Sequence, residues 1–146
     1  MANPKAVVMK FVDGFNRHDI SIMELFTEDV TWLDPGSLEP EGGWDRLRSG
    51  FASAWNAFPD IKMDVSHYMA DDGWVSFEGM FTGTFVGGNW FVGGKERPFP
   101  KTNRPVKATM AWFFKVNNED KVSYWSWYQD IAQLLAQIGL RPDQLG

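Results

Sequence analysis

The amino-acid sequence predicts one α+β domain, with helices packed on one face of a mainly antiparallel sheet, and three observations support this prediction. The 146 residues match the usual size of a single domain, which we expect to cover residues 1–146. Hydrophobic residues make up 44% of the chain, enough for a sizeable core. Three helical patterns and one short strand occupy residues 4–58 and strand patterns dominate afterwards, an order typical of the α+β class.

Three helices are predicted before most of the sheet. The first begins at Asn3 and Pro4, a capping side chain followed by a proline at the first helical position. Its apolar residues recur at helical spacing: Val7, Val8, Phe11, Val12 and Phe15. Ser21 and Glu24 are typical of a capping box and predict a short second helix that ends near Phe26. The third helix has its apolar face at Trp44, Leu47, Phe51, Trp55 and Phe58.

The predicted strands are rich in aromatic and β-branched residues and alternate apolar with polar positions. They cover residues 30–34, 61–66, 74–85, 106–116 and 121–129. Pro35 and Gly36 end the first of them, and Asp72 with Gly73 predicts a tight hairpin turn between the second and third. A short C-terminal helix is expected over residues 131–138.

Residues 87–105 interrupt the strand pattern. They contain four glycines and three prolines, too irregular a composition for a tight turn. A lid, an extended hairpin and a contact with a second copy of the chain are all compatible with this segment.

Charge and composition exclude several classes of protein. The net charge is -5 and the 14 basic residues are dispersed, so we expect no nucleic-acid partner. The apolar runs are shorter than the ~20 residues that span a membrane, and no signal peptide is evident, so we expect a cytoplasmic protein without membrane contact. The chain has no cysteine and only two histidines, His18 and His67, so we expect no metal site and no disulfide.

Aromatic residues make up 16% of the chain and either fill a core or wall a cavity for an apolar ligand. Strand alternation places Met110 and Trp112 inward and Phe113 outward. The predicted pocket wall, with core packing as the alternative, comprises Phe11, Phe15, Trp32, Trp55, Phe58, Met110 and Trp112. Alternation also places Trp125 and Trp127 outward, and because such large rings seldom face water we expect a homodimer to cover them.

Three parts of the sequence carry a family resemblance. The first comprises Phe15-Asn16-Arg17-His18-Asp19, Leu25-Phe26-Thr27-Glu28-Asp29-Val30 and Trp32-Leu33-Asp34-Pro35-Gly36. The second comprises Gly83-Thr84-Phe85 and Thr102-Asn103-Arg104-Pro105-Val106. The third comprises Asp130, Leu134-Leu135, Gln137-Ile138-Gly139-Leu140 and Pro142. In this order they resemble the SnoaL-like polyketide cyclases, within the nuclear-transport-factor-two-like and ketosteroid-isomerase-like superfamily.

The resemblance implies a cone-shaped roll, in which a strongly curved sheet wraps around the helices and a deep pocket opens at the wide end. It also implies a cofactor-independent cyclase or isomerase that uses an aspartate as acid and base on a hydrophobic, carbonyl-bearing small molecule. The alternative is a non-catalytic domain that binds an aromatic or polyketide-like ligand, because this fold hosts many functions.

Two aspartates are candidates for the chemistry. Asp130 resembles the acid/base aspartate of the cyclases, and its alternative role is to cap the helix that follows it. Asp34 lies in a segment similar to the one that holds the base of ketosteroid isomerases, and its alternative role is that of a turn residue. The match places Phe11 and Trp112 where those isomerases keep their oxyanion donors, and Phe85 and Trp112 where the cyclases keep histidines.

Overall fold

A computed structural model describes residues 3–141 and residue 143. Its helices are α1 (Pro4–Asn16), a 3₁₀ helix (Ile20–Leu25), α2 (Trp44–Ala57) and α3 (Ile131–Gln137). The strands up to the first long hairpin are β1 (Phe26–Leu33), β2 (Glu41–Gly42), β3 (Lys62–Asp71) and β4 (Trp74–Phe85). The later strands are β5 (Gly88–Val92), β6 (Lys95–Phe99), β7 (Arg104–Val116) and β8 (Val122–Gln129). Pro142 of the closing sequence motif lies outside the described residues.

The predicted α+β class is confirmed. Six strands form one curved sheet in the order β2-β1-β8-β7-β4-β3, and every neighbouring pair is antiparallel except β1 with β8, which is parallel. The helices pack on this sheet and enclose one hydrophobic core. Within the described residues, no helix is long and apolar enough to cross a membrane.

The helix starts follow the sequence with one exception. Asn3 caps α1 as predicted, because its side chain accepts a hydrogen bond from the Ala6 amide. The second helix is present but its predicted capping box is wrong. Asp19 is the capping residue, and its side chain accepts from the Ser21 amide, which places Ser21 inside the helix.

Residues 87–105 hold the hairpin of β5 and β6, which forms a separate two-stranded sheet. The hairpin packs on α2, where the Ser53 hydroxyl donates to the Asn89 carbonyl over 2.8 Å. At its inner end Trp90 meets Phe58 edge to face, with ring centroids 5.1 Å apart. The extended-hairpin alternative is therefore the one that the structure adopts.

The faces of β8 are the reverse of the predicted ones. Trp125 is buried and Trp127 half-buried on the inner face, whereas Tyr128 is exposed. The cause is a β-bulge: Val116 pairs with Val122 but Lys115 pairs with Tyr124, so Ser123 is an extra residue on β8. One extra residue shifts the alternation, and the rest of the strand turns its other face to the core. On β7 the predicted alternation holds, with Met110 and Trp112 buried and Phe113 exposed.

Candidate active site

A cavity of about 120 Å³ lies between α2, the inner face of the sheet and the β5–β6 hairpin. Its wall is largely apolar and rich in aromatic rings, with Trp32 from β1, Trp112 from β7, Trp125 and Trp127 from β8, and Phe91 from the hairpin. The indole rings of Trp112, Trp125 and Trp127 are stacked, with centroids 4.7 to 5.1 Å apart. Such a wall favours a flat, apolar ligand.

Most of the predicted wall residues reach this cavity. Those that line it are Phe15, Trp32, Phe58, Met110 and Trp112. Phe11 does not line it, because it lies in the core with 0% of its surface exposed and packs on Trp112 and Trp125. Trp55 is also outside the lining, and its ring stacks on His18 at 5.3 Å. Phe11 and Trp55 lie on helices, as predicted, but their rings pack against neighbouring side chains and not against the cavity.

Asp34 is a carboxyl group of the cavity wall. It follows the last residue of β1 and is only 7% exposed. The turn predicted at this point is also present, since the Ser37 amide donates to the Asp34 carbonyl over 3.0 Å. The backbone of Asp34 therefore makes the turn, while its side chain lies at the cavity.

Two charged residues accompany Asp34. Arg46, on the first turns of α2, places Nη2 2.9 Å from Glu41 Oε1 and 3.7 Å from Asp34 Oδ2. Arg46 Nε also donates to Glu41 Oε1 over 2.9 Å. The guanidinium therefore binds Glu41 closely and Asp34 only at a distance beyond a hydrogen bond.

These surroundings raise the pKa of Asp34 to about 8, and burial is the largest cause. The neighbouring Glu41 side chain raises the pKa further, whereas Arg46 and the Trp32 indole act in the opposite direction. At neutral pH Asp34 is therefore mainly a neutral carboxylic acid, and a small rise in pH converts it to a carboxylate. A group balanced in this way can both give and take a proton.

Asp130 lies elsewhere. It is exposed and caps α3, because its Oδ1 accepts from the Gln133 amide over 3.0 Å. It does not line the cavity, whereas its neighbour Gln129 does, as expected when successive strand residues point to opposite faces. The desolvation that would suit Asp130 to acid and base chemistry is absent at this position, and the capping alternative is the role that the structure displays.

The cavity also contains hydrogen-bond donors. The indole Nε1 of Trp112 donates to the Met110 thioether sulfur over 3.1 Å, and a thioether is a weak acceptor. Gln129 brings an amide group to the lining. A ligand oxygen is a better acceptor than sulfur, so the Trp112 N–H is available to a carbonyl oxygen placed near it.

Sequence reasoning missed Glu41, Arg46, Gln129 and the hairpin residue Phe91. Glu41 and Arg46 stand at the two ends of a glycine-containing connection into α2, and two charges flanking such a turn could have suggested an ion pair. Gln129 was hidden by the bulge on β8, because uninterrupted alternation assigns it to the outer face. Phe91 has no signal in the sequence beyond its place in an irregular segment.

The described residues contain no group of three or more histidine, aspartate or glutamate side chains that could hold a metal ion. The Asp34 and Glu41 carboxyls are accompanied by the Arg46 guanidinium, which supplies the positive charge at this point. The chemistry that this arrangement offers is proton transfer beside a flat apolar surface.

A curved sheet wrapped on helices and closing on a cavity is the architecture of the nuclear-transport-factor-two-like fold. The family profile described as a SnoaL-like domain matches residues 8–125, and the chain therefore belongs to the SnoaL-like family. The comparison with curated proteins finds no match.

Several solved structures share the fold. A candidate SnoaL-like polyketide cyclase from Jannaschia sp. CCS1 superposes with a TM-score of 0.80 at 16% identity, over 95% of this chain and 93% of that one. IdmH, a candidate polyketide cyclase from Streptomyces antibioticus, superposes with a TM-score of 0.71 at 21% identity, over 94% of this chain and 99% of that one. AclR, a candidate hydroxylase from Streptomyces galilaeus, superposes with a TM-score of 0.74 at 21% identity, over 93% of this chain and 95% of that one. At these identities the likeness shows the fold alone.

Proposed function

We propose that the protein is a cofactor-independent enzyme of the cyclase or isomerase type, which transfers a proton on a hydrophobic, carbonyl-bearing small molecule. The observation that carries the proposal is the burial of Asp34 in the wall of the aromatic cavity. As a carboxylate, Asp34 takes a proton from the carbon next to the carbonyl and leaves an enolate. As a carboxylic acid, it returns the proton to carbon, so the protein is unchanged at the end of the cycle.

A donor is needed where negative charge develops on the carbonyl oxygen. Trp112 fits this role, because its N–H is held only by the sulfur of Met110. The proposed acid/base group follows β1 and the proposed donor lies on β7, and β8 lies between these two strands. The indoles of Trp125 and Trp127, on that middle strand, offer a flat surface for the ring of the substrate.

The size of the cavity limits the substrate. An apolar cavity of ~150 Å³ is known to hold benzene, whereas pockets for larger ligands measure ~300–1,000 Å³. The present cavity of about 120 Å³ therefore encloses roughly one ring. We expect the substrate to be a one-ring ketone, or a larger molecule of which only the reacting end is enclosed.

The test is the exchange of α-protons of one-ring ketones with deuterium oxide, followed by NMR. Wild-type protein should catalyse exchange, and Asp34→Asn should lose at least ~100-fold in rate while it still quenches tryptophan fluorescence on ligand binding. Asp130→Asn is the matched control, because it changes the same chemical group outside the cavity, and it should leave the rate unchanged. Unchanged exchange in Asp34→Asn overturns the proposal.

A non-catalytic binding domain for an aromatic or polyketide-like ligand is the second candidate. One observation favours it: Phe85 and Trp112 stand where the cyclases keep histidines, and Phe85 is buried in the core with 0% exposure. Ligand binding without any α-proton exchange by the wild-type chain would favour this candidate.

The homodimer is also kept as a proposal, on a different set of residues from the one that the sequence suggested. Trp125 and Trp127 lie on the inner face of the sheet and need no partner to cover them. On the outer face, Trp74, Phe113 and Tyr128 are 40%, 41% and 52% exposed. A second copy would cover this face through a two-fold contact. The cytoplasmic location stays a prediction.

A further inference from the structure

We infer that Glu41 and Asp34 share a single proton, and that Arg46, held beneath Phe91 of the β5–β6 hairpin, positions Glu41 as the charged member of this pair. The inference deepens the proposed function and rests on it, because it names the residues that control the proton on Asp34. Arg46 lines the cavity beside Asp34, whereas Glu41 is not among the lining residues. Neither takes a proton from the substrate in the proposed cycle, so both are positioning residues.

The geometry of the cluster separates the two carboxyl groups. Glu41 Oε1 accepts a hydrogen bond from Arg46 Nε over 2.9 Å and forms an ion pair with Arg46 Nη2 at 2.9 Å, a close charge-assisted contact. Asp34 Oδ2 lies 3.7 Å from the same Nη2. The guanidinium therefore stabilises the carboxylate form of Glu41 more strongly than that of Asp34.

The remaining oxygens of both groups need a donor. Asp34 Oδ2 and Glu41 Oε2 are buried, and neither accepts a hydrogen bond from a donor group of the described residues. A buried acceptor without a donor costs about 1–3 kcal/mol, and more when it is charged. A proton held between the two carboxyl groups supplies the missing donor.

The charge of the cluster leads to the same conclusion. Two ionised carboxylates and one guanidinium would leave a net negative charge in a largely buried site, which is unfavourable. One shared proton makes the cluster neutral. The charged groups that act on Asp34 among the described residues are Glu41 from β2 and Arg46 from α2, and the β8 residue paired next to Asp34 is the uncharged Ser126.

The hairpin closes over this cluster. The ring of Phe91 lies with its centroid 3.4 Å from Arg46 Cζ, and the Trp32 ring lies 5.6 Å from the same atom. At the turn of the hairpin, a Cβ on Gly94 would stand 3.1 Å from Glu41 Oε2, so the backbone there covers the carboxylate closely. Phe91 therefore fixes the guanidinium, and the turn limits the access of water to Glu41.

The experiment is a carbon-13 NMR titration of the Asp34 and Glu41 carboxyl carbons in the ligand-free chain. We expect the Asp34 carbon to report a step near pH 8, and we expect the chemical shift of the Glu41 carbon to respond to that step, because the shared proton lies between the two groups. Glu41→Gln should move the Asp34 step down, since it removes a neighbouring carboxylate. Arg46→Met should move the step up, since it removes the positive charge. Arg46→Lys keeps a positive charge and should therefore shift the step upward by less than Arg46→Met does.

Two surface variants serve as matched controls. Glu39→Gln removes an exposed carboxylate from the same connection as Glu41, and Arg48→Met removes an exposed guanidinium from the same helix as Arg46. Both should leave the Asp34 step in place. An Asp34 step that is unmoved by both Glu41→Gln and Arg46→Met overturns the inference, as does a Glu41 carbon that ignores the Asp34 step. The titration needs no substrate, so its outcome is separate from the exchange assay that tests the proposed function.

Discussion

Asp34 Oδ2 lies 3.7 Å from Arg46 Nη2, close enough for attraction but too far for a hydrogen bond. An arginine beside an aspartate ordinarily lowers the carboxyl pKa. Here the same guanidinium is bound to Glu41 at 2.9 Å, so its charge is largely offset before it acts on Asp34. Burial then dominates, and the pKa of Asp34 rises to about 8.

Asp34 should make the folded chain less stable as the pH rises. Its pKa is about 8 in the folded chain and 3.8 in an ordinary setting, so between these values the folded state holds a proton that the unfolded state has released. The contribution of Asp34 to the free energy of unfolding is fully present below the unfolded-state pKa and is lost as the pH rises through the folded-state pKa. The free energy of unfolding falls by at most ~1.4 kcal/mol per pH unit.

Urea unfolding of wild type and Asp34→Asn across this pH range measures the effect. The difference in the free energy of unfolding should change with pH, and Asn should be the more stabilising residue at the alkaline end. The Asp130→Asn variant controls for loss of an aspartate. Parallel pH profiles for wild type and Asp34→Asn would contradict the raised pKa.

Asp130→Ala should destabilise the chain by about 1 kcal/mol, the usual cost of losing a helix cap. The reason is the hydrogen bond from the Gln133 amide, which alanine cannot accept. The variants Asp130→Asn and Asp130→Ser should lose much less stability, because both residues can still cap the helix. The measurement is again urea unfolding, and the exchange rate per folded molecule should stay at the wild-type level in all of these variants. A selective loss of exchange would return Asp130 to the catalytic candidates.

Trp112→Phe should reduce α-proton exchange by about 10²–10³-fold, the range observed when one donor to a developing oxyanion is removed. The phenyl ring keeps the stack on Trp125 and Trp127, so apolar ligands should still bind. Trp127→Phe is the matched control, because it shortens a neighbouring ring of the same wall without removing the proposed donor. Equal losses in the two variants would show that the Trp112 N–H has no special role.

Phe113→Lys should convert the proposed homodimer into a monomer, which light scattering of the purified chain measures directly. A lysine in the centre of the outer face brings a charge into the contact from both copies. Met69→Lys is the control, since Met69 is 64% exposed on the edge strand β3, outside the Trp74, Phe113 and Tyr128 group. A wild-type chain with the mass of a monomer at all concentrations would refute the dimer.

Much of the fold could be predicted from local patterns. Asn3 and Pro4 located the start of α1, and the alternation of Met110, Trp112 and Phe114 gave the correct inner face of β7. These features depend on neighbours along the chain, and the sequence displays them directly. The faces of β8 could not be predicted, because the extra residue Ser123 is defined only by the pairing of Lys115 with Tyr124 and of Val116 with Val122.

The candidate site was predictable in part, for a related reason. Asp34 was found because the segment around it resembles a known motif, but the choice between Asp34 and Asp130 depends on burial, which pattern alone does not reveal. Glu41 and Arg46 become neighbours of Asp34 only when β2 pairs with β1 and α2 begins beside them. Phe91 reaches Arg46 across a hairpin about 45 residues further along the chain, a contact made by tertiary packing.

The central claim is that Asp34 exchanges a proton with a ligand in the cavity, and the pH dependence of ketone α-proton exchange tests it most directly. Because the carboxylate form takes the proton, kcat/KM should rise about tenfold per pH unit below the pKa of Asp34 and level off above it. With that pKa at about 8, the bend should fall in the same region, and Glu41→Gln should move it to lower pH. A profile that is flat across this region, or a bend that Glu41→Gln leaves in place, would contradict the role assigned to Asp34.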